Sequence, residues 1–211
     1  PSVKEDKKFV GWSVRRYKRM GVKTWGVWNE ANHYTQPTYR NPKRAGQFFK
    51  QMRLMCRGCK IVALDILDQP GSESYIRRFY RKLSPTLRRR ANLVGIHNYA
   101  DTNRFRMTGT KDIIDAVKRQ NRRANFWLTE TGGIVNLGRS FPCSTTRAAK
   151  AVKYMFRVAK RYRRDIDRLY AYNFYGTQPS CNDFDAGLLT FDGKKRKAYG
   201  VFKFQARKFK R

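Results

Sequence analysis

Acidic residues are scarce in this sequence: 15 Asp and Glu stand against 48 Lys and Arg in 211 residues, a formal net charge of +33. A carboxylate in such a chain is therefore worth locating one by one. Histidine is scarcer still, with His33 and His97 alone, which leaves little for a histidine-based metal centre. No apolar run approaches the ~18 residues of a membrane span. The chain opens at Pro1 without Met or a charged-then-apolar leader, so a processed or cut form is expected. There is no GxGxxG or GxxxxGK[ST] turn after any strand-like run, which speaks against a nucleotide-binding sheet.

The four cysteines lie in CRGC (Cys56, Cys59) and singly at Cys143 and Cys181. A structural zinc site would want a second pair of similar spacing, and FPCS and PSCN do not supply one, so no metal and no cofactor is expected. Disulfides, and with them an exported or surface-held protein, fit better.

What is present is alternation. Helical periods run over 4–20, from the Asn41-Pro42 start up to Gly58, and over 72–83, 109–119, 144–165 and a last segment through Phe209. Between them lie VKTWGVWN, KIVALDIL, LVGIHNY, ANFWLTE and RLYAYNFY, apolar almost throughout, as strands of a helix-covered parallel sheet are. A hairpin is expected in GLLTFDGKKRKAY around Asp192-Gly193. The fold class is α/β, and with no glycine-rich turn a (β/α)8 barrel is favoured over a doubly wound sheet.

In a barrel the chemistry lies at the carboxyl ends of the strands. Here those ends read WNEAN, ALDILD, IHNYAD, LTETGG and AYNFYG, carrying Glu30, Asp65, Asp68, Asp101 and Glu130 but no Lys or Arg. The cations crowd the helices instead. Two strand-end glutamates, Glu30 and Glu130, suit a reaction in which one carboxyl group protonates a leaving oxygen while the other attacks carbon.

WNEAN resembles the strand-4 motif, usually WNEPN, of the large clan of retaining glycoside hydrolases with (β/α)8 barrels. FWLTETGG resembles the strand-7 motif that carries their nucleophile, IHNYAD the His-x-Tyr at the end of strand 6, and DAGLLTFDGKKRKAY the strand-8 loop and hairpin. The likeness runs in order from about Val22 to Tyr199. It implies a retaining O-glycoside hydrolase acting on a polysaccharide or glycoside, with Glu30 as general acid/base and Glu130 as nucleophile. It also implies that Asn29 bonds the sugar 2-hydroxyl and that His97 and Tyr99 orient the nucleophile. Trp25, Trp28 and Trp127 are candidate sugar platforms, though such rings are more often packing. At strand 8, Phe174 or Tyr175 stands where a tryptophan is usual.

On the same resemblance residues 1–211 form one catalytic-barrel domain, strands 4–8 with helices 3–8. Units 1–3 are expected to be absent, supplied by upstream sequence or another chain. Cys143 and Cys181 then follow adjacent strands and are expected to pair, and Cys56 with Cys59 as well. The partner expected is a carbohydrate substrate, with the basic helices free to meet an anionic polymer or surface. Two other readings compete: a carbohydrate- or cell-surface-binding protein without turnover, and a basic nucleic-acid-binding protein favoured only by charge.

Overall fold

The computed structural model describes residues 2–209; Pro1, Lys210 and Arg211, the outermost positions of the expected 1–211 domain, lie outside the described residues. Backbone contacts divide the chain into two compact units, Pro1–His97 with Asp112–Trp127, and Asn98–Lys111 with Leu128–Arg211.

In the first unit, α1 (Val3–Arg19) starts at a capping box, Ser2 with Glu5, and ends before Gly21, whose φ of 91° only glycine adopts cheaply. Strand β1 (Thr24–Gly26) pairs in parallel with β2 (Lys60–Val62). Helix α2 (Pro42–Met55) starts where the Asn41 side chain accepts the Arg44 N–H and proline fills the first turn. Its buried Phe48, Phe49 and Met52 and the Tyr75, Ile76, Phe79 and Tyr80 face of α3 (Ser72–Arg81) form the apolar core of this unit. The two buried tyrosines give their hydroxyls to backbone carbonyls, Tyr75 to Thr38 at 3.0 Å and Tyr80 to Ala91 at 2.6 Å, so neither leaves a polar group unmet.

Three expectations need correcting here. The single strand read in KIVALDIL is two: β2 ends at Val62 and β3 (Asp65–Leu67) joins a different sheet, because Ala63 and Leu64 turn the backbone toward Leu93 and Gly95. The strand read over 22–29 is only three residues long, the chain turning from Val27 onward. The cap of α3 is Gly71 with φ 87°, and the Ser72 hydroxyl bonds the carbonyls of Leu67 and Gln69. Two short helices lie outside the expected helical periods: α4 (Pro85–Arg90), and α5 (Tyr99–Asn103), which begins at the tyrosine expected to close the strand LVGIHNY.

Strand β4 (Leu93–His97) is buried along its whole length and pairs in parallel with β3, Asp65 opposite Gly95 and Leu67 opposite His97. Beside β4 in the first unit lies the start of β5 (Asn125–Thr131), Asn125 N–H bonding Asn92. Helix α6 (Thr108–Gln120) precedes it.

The second unit holds the end of β5 and β6 (Ile166–Ala171), joined by Tyr172 N–H to Thr131 carbonyl. Helix α7 (Thr145–Arg161), capped by the Ser144 hydroxyl, packs Val152, Met155 and Phe156 on Leu188 and Ala198 and on Phe202 and Phe209 of the terminal segment. The read hairpin is a tight turn, Thr190 N–H to Lys194 carbonyl at 2.8 Å, and Lys197–Lys208 is already α8. No described helix is long and apolar enough to cross a membrane.

Candidate active site

In the first unit the site begins with a register. Side chains alternate along a strand, so Asp65 and His97, two positions apart across the β3–β4 pair, share one face, and Gly95 opposite Asp65 leaves room between them. His97 is thereby bracketed. Its Nδ1 lies 3.1 Å from Glu30 Oε1, and its Nε2 lies 3.7 Å from Asp65 Oδ1. The imidazole is almost wholly enclosed, 3% exposed, while Glu30 keeps 18%. With the proton on Nδ1, His97 donates to Glu30 and fixes the orientation of that carboxylate.

Glu30 itself stands in the left-handed region, φ 41°, where a side chain other than glycine is disfavoured. The following residues hold it there. Ala31 donates to the Asp65 carbonyl at 3.0 Å, and the Asn32 amide both donates to Leu67 carbonyl and accepts from Leu67 N–H, each at 2.9 Å. Thr38 donates to Ala31 carbonyl at 2.8 Å. Asn32 and Thr38 were missed in reading the sequence; each is buried in a turn whose Tyr34, Thr35 and Pro37 are exposed, so nothing in the local pattern marks them out. Asn29 is exposed, and Trp28 stacks on Phe48 at 4.8 Å and donates its indole N–H to Gln36. Trp127 is buried beside Val62 and Leu93, with the Lys60 ammonium 5.4 Å from its ring, so it serves as packing.

In the second unit Glu130 lies near the carboxyl end of β5 and accepts the Tyr99 hydroxyl at 2.8 Å. Helix α5 braces this strand end from one side. Asn103 donates to the carbonyls of Tyr99 and Gly132 and accepts Ile134 N–H, while Thr102 meets Thr131 at 3.2 Å. Asp101, fully buried, takes Gly109 and Thr110 N–H and so caps α6. It is structural rather than part of the acidic mouth read from IHNYAD. The two glycines of TETGG are explained by closeness: a Cβ on Gly132 would collide with the Tyr172 carbonyl, and one on Gly133 with that of Ala148.

Phe184 meets Tyr99 edge-on at 5.3 Å and lies 6.3 Å from Tyr172. It was not singled out in the sequence, where an isolated Phe in a polar loop carries no signal. Phe174 and Tyr175 follow the end of β6, each more than half exposed, their rings edge-to-face at 5.2 Å. The loop beside them is anchored twice. Cys143 and Cys181 are bonded with Cα atoms 5.5 Å apart. Arg196 grips the buried Asp185 with two bonds of 2.8 and 2.7 Å. Cys56 and Cys59 form the second disulfide, so all four cysteines are oxidised and no thiolate remains for a metal.

Solved structures of TIM-barrel glycoside hydrolases resemble this chain. An endo-1,4-beta-xylanase from Caldicellulosiruptor owensensis matches at a TM-score of 0.67 and 15% identity over 95% of this chain and 68% of its own. An endo-beta-1,3-glucanase from Pseudomonas viridiflava matches at 0.64 and 16%, over 93% and 74%. A beta-glucuronidase from Faecalibacterium prausnitzii matches at 0.64 and 14%, over 97% of this chain and 35% of that one. No protein-family model and no curated protein matches the sequence. The fold is accordingly α/β with parallel strands, part of a TIM barrel, and the chain spans about two thirds of the xylanase it resembles.

Proposed function

We propose that this protein is a retaining glycoside hydrolase acting on a polysaccharide or glycoside by double displacement. Glu130 is the nucleophile and Glu30 the general acid/base. The observation that carries this is the placing of each glutamate. Both follow or end parallel strands on the carboxyl side, where barrels build their chemistry, and each meets a mostly buried side chain at hydrogen-bond distance, Tyr99 for Glu130 and His97 for Glu30. A carboxylate that accepts a hydrogen bond from a held side chain is kept in position to attack carbon or to exchange a proton.

In the first step Glu130 attacks the anomeric carbon while Glu30 protonates the departing oxygen. In the second, Glu30 takes a proton from water, which releases the sugar from Glu130. Asn29, exposed after β1, bonds the 2-hydroxyl, and Phe174 and Tyr175 offer rings to a sugar face. The residues form one barrel domain whose further βα units belong to upstream sequence or another chain. Two disulfides fit an oxidising, extracellular or surface location.

The test is a panel of dinitrophenyl 2-deoxy-2-fluoroglycosides, including the xyloside and the glucoside, followed by peptide mass mapping. A covalent fluoroglycosyl adduct on Glu130 supports the reading. An adduct on another residue refutes the assignment, and no adduct together with tight oligosaccharide binding favours a binding protein without turnover.

A further inference from the structure

The first unit contains a concavity away from the strand ends that carry Glu30 and His97. It lies where α2 ends, in the turns leading into β2 and β4, and its volume is about 600 Å³. Lys50, Arg53, Arg57 and Arg90 line it, with Ser84 and Thr86. No Asp or Glu does, and among the described residues none of these four cations has a carboxylate partner. Arg53 is the fixed member. One of its terminal nitrogens donates to the Cys59 carbonyl at 3.3 Å, in the turn closed by the Cys56–Cys59 disulfide, and its buried Nε has no partner. Lys18 of α1 donates to the Arg57 carbonyl at 3.1 Å and brings a further positive charge to the same turn.

Like charges do not converge without cost. Burial and the nearby Arg90 charge hold the Arg53 guanidinium below its ordinary pKa. Helix carbonyl ends favour cations in their last turn, which accounts for Arg53 of α2 and Arg90 of α4 but not for Lys50 and Arg57 converging on the same hollow with no acid among them. An anion relieves that repulsion, and guanidinium forks fit tetrahedral oxyanions.

We infer that this cavity binds a sulfate or phosphate group borne on an anionic polysaccharide, holding the polymer at a site separate from the proposed catalytic glutamates. The choice of a polysaccharide rests on the proposed function, and the choice of oxyanion on the cavity alone. The lining also weighs against nucleic acid: Leu54 and Leu87 are its only large apolar residues, so no ring is available on which a base could stack.

The experiment measures binding of dextran sulfate by calorimetry at low and physiological salt. It uses the Glu130→Ala background, so that turnover plays no part. Two triple variants each remove three charges at exposed positions: Lys50→Gln/Arg57→Gln/Arg90→Gln in the cavity, and Arg161→Gln/Arg163→Gln/Arg164→Gln elsewhere. Thermal melts check that both fold. Loss of charge-assisted bonds should weaken dextran sulfate roughly tenfold or more in the cavity triple, against little change in the other. Competition by inorganic phosphate against inorganic sulfate then distinguishes the two esters. Equal weakening in both triples means diffuse charge and overturns the site, as does no weakening in either. Tighter binding of duplex DNA, lost with the cavity triple, overturns the polysaccharide assignment. None of these outcomes depends on whether Glu130 is a nucleophile.

Discussion

The Tyr99 hydroxyl donates to Glu130 Oε1 at 2.8 Å, across the end of β5 from the first turn of α5. Tyr99 is held by its place in a helix tied to that strand through Asn103 and Thr102, so the bond is preorganised rather than opportunistic. Tyr99→Phe keeps the ring and its edge-on packing with Phe184 and removes only the donor. A hydrogen bond to a charged group is worth about 1.5–3 kcal/mol, so kcat/KM should fall roughly ten- to a hundredfold with the melting temperature nearly unchanged. Steady-state kinetics on an aryl glycoside, paired with a thermal melt, check it.

The two glutamates should fail in different ways. Glu130→Ala removes the nucleophile, and activity should vanish on natural and activated substrates alike. Glu30→Ala loses proton donation, typically about 10²–10⁴-fold, but a dinitrophenolate leaving group hardly needs it. Azide should then speed turnover of that variant and yield the glycosyl azide with retained configuration, read by NMR. Equal losses on both substrates in both variants would refute the roles.

The disulfide between Cys143 and Cys181 closes a span of 38 residues and ties the loops after β5 and β6. On the loop-entropy argument, replacing both by serine costs about 3–4 kcal/mol, whereas the Cys56–Cys59 link, separated by 3, restrains much less of the unfolded chain. Denaturant unfolding of Cys143→Ser/Cys181→Ser should reproduce most of the destabilisation caused by reducing the wild type.

Asp6 is buried in the first turn of α1, and desolvation raises its pKa above the ordinary carboxylate value. The folded state therefore binds this proton more tightly than the unfolded one. Stability from this group is full below the unfolded pKa and declines as pH rises through the folded value. Asp6→Asn removes the decline, so relative to wild type the variant should gain melting temperature between pH 4 and pH 7. A constant difference across that range would refute the effect.

Much of the architecture was written locally. Asn41-Pro42 and Ser144 mark helix starts because capping needs only a side chain and its next three residues. The apolar runs in LVGIHNY and ANFWLTE announce parallel strands because a strand buried on both faces cannot alternate. KIVALDIL misled for the same reason: an unbroken apolar run carries no mark of where its pairing changes from β1 to β4.

The sequence by itself determined the helix and strand alternation, the placing of Glu130 near a strand end, and the crowding of cations onto helices, since these follow from spacing and composition. Only the tertiary structure decided that Asp65 stands beside His97, that Asn32 pins Glu30 in a left-handed turn, and that Asp101 caps a helix instead of facing substrate. The same holds for the gathering of Lys50, Arg53, Arg57 and Arg90 around one hollow. The reason is physical: each of these depends on strand register or on helix ends far apart in the chain, and distance along a sequence does not encode which polar groups burial will force to find one another.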